Sequence, residues 1–372
     1  MIRGLYITVE NVDDFSSGVV KKICMQKETF INNGLDITIV SSHKTNALKD
    51  LIQRFLPFSR RDYVEKITQK IKSLDLKEYQ YVYFRYFSSG IDSIKLLAYI
   101  KQANPKIKII CEFPTFPYDH ELIKIQFIPW LIKDMFWRNN LKKYIDLATT
   151  YSNVAEIYNI PCIELFNGYN IGECFSKSYK EKKADEVVCI GVGNISEWHG
   201  YEKIIKGIKR YKGKKKIVFH IVGEGLYKKK LLGLVRELNL EENVIFDGRK
   251  SGDELLALYE ISDIAIGSLS ANLMKCNHIS PLKTREYCAM GVPFLYTNLD
   301  YIFHENAFPY AMEVSEDESV IEMENVILFL DELHKLYTDE QITNNMREFA
   351  KDQLSWDKSL LKVFKYIRNN EI

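Results

Sequence analysis

The 372-residue sequence has no CxxC pair and no even set of cysteines; its seven lie apart at 24, 111, 162, 174, 189, 276 and 288. That scatter excludes a disulfide-built secreted domain and a cysteine-clustered zinc site. Reduced thiols packed as small apolar groups in a cytoplasm are the expectation. An excess of charge is missing too: against 50 Asp and Glu stand 51 Lys and Arg, a formal +1, so no overall field draws the chain to nucleic acid. No apolar stretch approaches the roughly 18 to 20 residues that cross a bilayer, and MIRGLYITVE runs straight into a strand-like pattern. Secretion and a transmembrane anchor are therefore not expected. There is no short-period repeat and no low-complexity tract.

What is present is a rhythm. Short runs rich in Val, Ile, Tyr and Phe, at 4–9, 36–41, 81–87, 106–113, 147–152 and 162–166, alternate with segments of helical period. Alternation of this kind predicts parallel strands with crossover helices. A polar, Lys-rich stretch, SKSYKEKKADE, interrupts it and serves as the candidate linker; the rhythm then restarts at 187–192, 216–222, 243–246, 263–268 and 292–297. Two domains follow, which suits a chain too long for one core. In doubly wound sheets ligands sit beyond the carboxyl ends of the strands, so the loops there are where chemistry is sought.

Three segments stand out. SPLKTREYCAMGVPFLY, at 280–296, reads as a helix capped by Ser280, opened by Pro281 and closed by Gly291, then a strand. With Lys283 in its first turn, that helix start offers free amides and a cation to a diphosphate; taken alone the segment reads first as an ordinary capped helix. GVGNISEWHGYEKII, at 191–205, is a strand, a glycine loop and a helix, but lacks the third glycine of the dinucleotide fingerprint. HIVGEGLYKKKLLGLV, at 220–235, repeats strand, glycine turn and helix, with Gly223 at the turn.

The order WHG, VGEG, NVIFDG, YEISDIAIGSL, SPLKTREYCAMGVP resembles the donor-binding domain of family 4 glycosyltransferases, over about residues 187–298. The resemblance implies the GT-B fold: two Rossmann-like α/β domains facing across a cleft, the first at 1–180 for the acceptor, the second at 185–354 for the nucleotide sugar, and a helix at about 355–372 crossing back. It implies sugar transfer with retention from a UDP- or GDP-sugar as substrate, without metal or other cofactor, to a polysaccharide or lipid-linked saccharide in capsule or exopolysaccharide synthesis. Residue by residue, Glu286 matches the family's ribose-binding glutamate. His278 stands where a sugar-contacting glutamate is expected, and Asn194 and His199 where phosphate-binding cations are expected. Gly18, Gly223, Arg249, Ser280, Leu282 and Lys283 complete the expected donor site, with Lys203 and Arg285 as further cations.

In the first half, Glu112, Asp119 and His120 in CEFPTFPYDHE are the candidates for acceptor chemistry. Glu112 ends a strand-like run, where a buried carboxylate needs a partner. Two stretches, LIKIQFIPWLIKDMFWRNNLKKY at 122–144 and QRFLPFSRRDYVEK at 53–66, mix aromatics with Lys and Arg, as at an anionic membrane surface. Core aromatics beside solvated lysines give the same pattern. A nucleotide-sugar epimerase of the same fold and a non-catalytic donor-binding subunit remain the two other readings.

Overall fold

In the computed structural model the described residues are 2–14, 17–42, 60–119, 127–169, 185–275 and 277–369. They form two units, residues 1–166 with 359–372, and residues 167–358. Sequence alone set this boundary at 180–185; the chain changes unit earlier, at Phe166 and Asn167.

The first unit has strands β1 (Ile2–Thr8), β2 (Leu35–Ser41), β3 (Tyr81–Arg85), β4 (Lys108–Phe113), β5 (Leu147–Thr150), β6 (Glu156–Ile157) and β7 (Ile160–Glu164), in the order β2-β1-β3-β4-β5-β7-β6. Only the short β6 runs antiparallel. Helices α1 (Gly18–Asn32), α2 (Asp62–Lys72), α3 (Ile91–Ala103) and α4 (Ile128–Trp137) belong to this unit. Strands covered on both faces read as unbroken apolar runs, which is why all five residues of β3 are buried. Ile67, Ile94, Leu97 and Ile100 pack with Leu5, Val82, Phe84 and Ile109 in one core.

The second unit has β8 (Glu186–Val192), β9 (Lys216–Val222), β10 (Val244–Gly248), β11 (Ile264–Ile266), β12 (Phe294–Tyr296) and β13 (Ala311–Glu313), ordered β10-β9-β8-β11-β12-β13 and parallel throughout. Its helices are α5 (Tyr201–Arg210), α6 (Lys228–Glu237), α7 (Gly252–Ile261), α8 (Leu282–Met290), α9 (Tyr301–Glu305), α10 (Met323–Leu336) and α11 (Asp339–Gln353). In α5 the buried Tyr201, Ile204, Ile205 and Ile208 recur at helical spacing and face the sheet. The last helix, α12 (Trp356–Asn369), carries the chain back into the first unit. There Phe364 meets Phe30 edge-on at 5.1 Å, and Lys108 donates to the carbonyls of Tyr366 and Ile367 at 2.8 and 2.7 Å.

Candidate functional site

Strand order in the second sheet reverses between β8 and β11, so the crevice beyond their carboxyl ends is the expected ligand position. The segments singled out in the sequence meet there. The loop after β8 turns at Gly193, and Gly223, at the end of β9, packs on it so tightly that a Cβ would lie 1.9 Å from the Gly193 carbonyl oxygen. Its φ of +133° is itself unfavourable to any side chain. The Gly193 amide donates to Val222 and the Ile195 amide to the Glu224 carbonyl, at 3.0 and 2.8 Å, which ties the two loops into one ledge.

Lys283, in the first turn of α8, reaches beneath this ledge. Its Nζ donates to the Tyr201 hydroxyl at 3.0 Å and to the Gly267 carbonyl at 3.4 Å. The side chain is buried, and burial, with no carboxylate among the described residues to offset it, pushes its ammonium well below the usual lysine range. Beside it His199 is buried with its Nδ1 unbonded, its basicity lowered first by burial and then by Lys283. A buried amine bonded only to neutral oxygens, with no carboxylate among the described residues, beside a ring nitrogen without a hydrogen bond, makes a site short of negative charge. The first turn of α8 adds amides that have no partner within the helix. The arrangement can hold an anion with several oxygens.

Glu286 lies one turn beyond Lys283 and is half-buried. The Tyr259 hydroxyl is its neighbour; burial first, and then the Glu286 carboxylate, raise that phenol well above its usual range. Asn194 stands exposed on the ledge, and Arg249 stands exposed just past β10, whose Gly248 carbonyl accepts from the Gly223 amide at 2.7 Å. Leu282 opens α8 half-buried. The His278 ring lies flat on Tyr301 at 4.4 Å.

Several expectations are corrected. Ser280 does not cap the helix: Pro281 is the N-cap residue, and the buried Ser280 hydroxyl accepts instead from the Asn167 amide at 2.6 Å. Arg285 is not at the surface but fully buried against Asp300 at 2.5 Å. Lys203 is likewise buried, with its ammonium on the carbonyls of Leu269 and Ser315, at 2.9 and 2.8 Å. Both are buried side chains engaged within the fold.

In the first unit Glu112 is fully enclosed. It is bonded to Arg85, Gln26 (2.8 Å), Tyr83 (2.7 Å) and Lys22 (3.2 Å), and so serves as a structural hub rather than a group facing substrate. Asp119 pairs with Arg138 at 2.7 Å. Gly18 opens α1 with nothing near its missing Cβ. His120 lies outside the described residues, as do 53–59 and 122–126 of the two basic-aromatic stretches. Arg61, in the first of these, is buried against Asp92 at 2.6 Å and faces no membrane. In the second, Lys133 is buried. Sequence reasoning missed Tyr201 and Tyr259, whose apolar helical surroundings marked them as core.

The family model described as "Glycosyl transferases group 1" matches residues 175–353. A curated relative from Campylobacter jejuni subsp. jejuni serotype O:2, N-acetylgalactosamine-N,N'-diacetylbacillosaminyl-diphospho-undecaprenol 4-alpha-N-acetylgalactosaminyltransferase, is 24% identical over 235 residues, 60% of this chain and 58% of the relative. The aligned part thus spans little more than half of that relative's length. Among solved structures, sucrose-phosphate synthase from Thermosynechococcus elongatus matches 100% of this chain and 99% of its own, with TM-score 0.69 and 13% identity. Anabaena HepE in complex with UDP and glucose matches 98% and 99%, with TM-score 0.58 and 14% identity. At such identities the likeness fixes the fold alone, and that fold is GT-B. The second half of the chain is thus similar to the glycosyl transferases group 1 family, and the whole chain has the GT-B fold.

Proposed function

We propose that the protein transfers a sugar, with retention of anomeric configuration, from a nucleoside-diphosphate sugar to a saccharide acceptor, a lipid-linked one in particular. The observation that carries this is Lys283, a buried ammonium without a carboxylate, set beneath the Gly193–Gly223 ledge at the switch point of the second sheet. A departing diphosphate supplies the negative charge that this site lacks. Lys283 and the first-turn amides of α8 then compensate the charge that develops on the leaving oxygen, in place of a metal. Glu286 binds the ribose hydroxyls, and Arg249 and Asn194 border the phosphates. Support for a uridine donor comes from Anabaena HepE, solved with UDP and glucose, and support for a lipid-linked acceptor from the diphospho-undecaprenol in the relative's name.

The test is thermal shift with UDP, GDP and their common sugar conjugates, since a ligand of the folded state raises the melting temperature. One base should give a clear shift. Glu286→Ala, which removes a charged hydrogen-bond acceptor, should weaken binding by about 10- to 100-fold, and transfer should persist in EDTA. No shift with any nucleotide would overturn the reading. One observation favours a second: His278, standing where a sugar-contacting glutamate was expected, is stacked on Tyr301. Nucleotide binding with neither transfer nor donor hydrolysis would identify a donor-binding subunit.

A further inference from the structure

The chain leaves the first unit after Phe166 and returns to it at Ser359, and the residues around these two points are laced together. The Phe166 amide donates to the Ser359 hydroxyl at 3.2 Å, and that hydroxyl donates to the Phe166 carbonyl at 2.6 Å. Further on, the Tyr169 amide donates to the Leu354 carbonyl at 2.8 Å. Between them Gly168 lies so close to Trp356 that a Cβ would stand 2.6 Å from its backbone nitrogen. Asn167 alone bonds elsewhere. Its amide donates to the Ser280 hydroxyl at 2.6 Å, and its side-chain Nδ2 donates to the Ser280 carbonyl. We propose that Asn167 is a positioning residue for the donor diphosphate: by holding both the hydroxyl and the carbonyl of Ser280, it sets where the first turn of α8, and Lys283 with it, stands beneath the ledge. The inference rests on the donor reading above.

Two features make this more than a structural clip. The first is where the bonds lead. Ser280 immediately precedes Pro281, the N-cap of α8, and Lys283 is in the first turn that follows. The ring of Pro281 fixes its φ, here −66°, so little slack separates the Ser280 carbonyl from the amides and the amine of that turn. A shift at Ser280 is passed on to them. An anion held by several donors at once loses strength steeply when they move together, because each hydrogen bond depends on distance and angle. Glu286, by contrast, lies further along α8 and has Tyr259 of α7 as its neighbour. The nucleoside side of the site thus has a support of its own, and Asn167 acts on the phosphate side.

The second is what Asn167 gives up. A carbonyl can only accept, so the bond to Ser280 fixes which end of the amide faces it. The other end, Oδ1, is then buried without a hydrogen-bond partner among the described residues. An unmet buried acceptor is a standing cost to the fold. A leucine of similar size would avoid that cost, so stability alone does not account for an asparagine here, whereas fixing Ser280 does. A local rule broken in this way is what a site that trades stability for geometry shows.

The experiment compares UDP with uridine on the full chain, by titration calorimetry for the diphosphate and saturation-transfer NMR for the nucleoside; GDP and guanosine take their place if guanine is the base that binds. Asn167→Leu keeps the volume but removes both the donor and the unmet acceptor, so its melting temperature should stay close to that of the unaltered chain. UDP should bind it about tenfold more weakly, and uridine as before. The phosphorus NMR resonance of the bound β-phosphate should move toward its free position. Asn167→Ala, which cannot overpack, should act in the same direction and decides the matter if the leucine variant does not fold. Ser359→Ala breaks the neighbouring lacing without touching Ser280 and should leave the ratio of UDP to uridine affinity unchanged. Equal weakening of UDP and uridine in the Asn167 variants, unaltered UDP affinity there, or as large a change of ratio in Ser359→Ala would each overturn the proposal. Failure of the unaltered chain to bind any nucleotide would overturn the donor reading itself, and this inference with it.

Discussion

Lys283 and Lys22 are both buried ammonium groups, and what faces each decides its behaviour. Lys283 has only dipoles nearby, so its proton is easily lost in the free protein. A bound diphosphate favours the charged form, so binding should be coupled to proton uptake wherever the free amine has lost its proton. We expect a binding enthalpy that differs between buffers of different ionisation enthalpy, with an affinity that falls by up to about tenfold per pH unit for this one linked proton; Lys283→Met should abolish the buffer dependence. Lys22, in contrast, acts on stability. Burial takes it from its ordinary 10.5 to about 7, with Glu112 opposing and Arg85 assisting. Between these pH values the unfolded chain holds the extra proton, so this residue makes stability rise with pH across that window. For Glu112 burial pushes upward, but Lys22, Arg85, Gln26 and Tyr83 outweigh it and hold it near 2, below its ordinary 4.5. Its contribution is complete above 4.5 and is lost as pH falls toward 2. Urea unfolding should show both arms, and Lys22→Met should flatten the alkaline one. Part of this was readable in sequence: Lys283 in a first turn and Glu112 at a strand end have local signatures. Arg285 had none, because its burial depends on Asp300, 15 residues away.

At the scale of elements, every apolar run with strand character became a strand, since runs covered on both faces admit no other reading at that length. The strands β6 and β13 were missed because β6 is only two residues long and β13, Ala311–Glu313, contains no β-branched or aromatic residue, unlike the equally short β11 and β12. Helix α4 was read as a mixture of aromatics and lysines, and its faces are the opposite of an ordinary surface helix. Lys133 and Asp134 are buried, while Ile132, Met135 and Phe136 are 60%, 50% and 62% exposed. The period was visible in sequence, but which face turns inward depends on Tyr86, Tyr118 and Ser89, which all bond Asp134. Lys142 and Lys143 follow on exposed backbone. Such a face suits an anionic bilayer surface; cosedimentation with phosphatidylglycerol vesicles should be strong, weak with neutral vesicles, and lost in Ile132→Glu/Phe136→Glu. The ledge at Gly223 gives a prediction of another kind. Alanine there meets both the positive φ and the Gly193 carbonyl, so Gly223→Ala should destabilise the protein by about 2–4 kcal/mol in chemical denaturation.

For the molecule as a whole, the two sheets have the two usual doubly wound orders, and the reversal in the second carries the candidate site. That architecture was legible as a rhythm and a linker, whereas the unit boundary at Phe166 was not: a change of unit has no compositional mark when the chain stays ordered through it. Helix α12 supplies Leu360, Val363 and Phe364 to the first unit, all fully buried. Removing residues 359–372 should therefore expose apolar surface around Phe30, seen as dye binding and a lower melting temperature. The same helix imposes a schedule on biosynthesis. The first unit is made first, yet its last piece leaves the ribosome only after the whole of 167–358 has been synthesised, a wait of about 10–40 s at usual elongation rates. Throughout that interval the nascent first unit carries an uncovered apolar groove, which makes it a natural client for chaperones that scan growing chains, and makes late nonsense mutations as damaging as early ones.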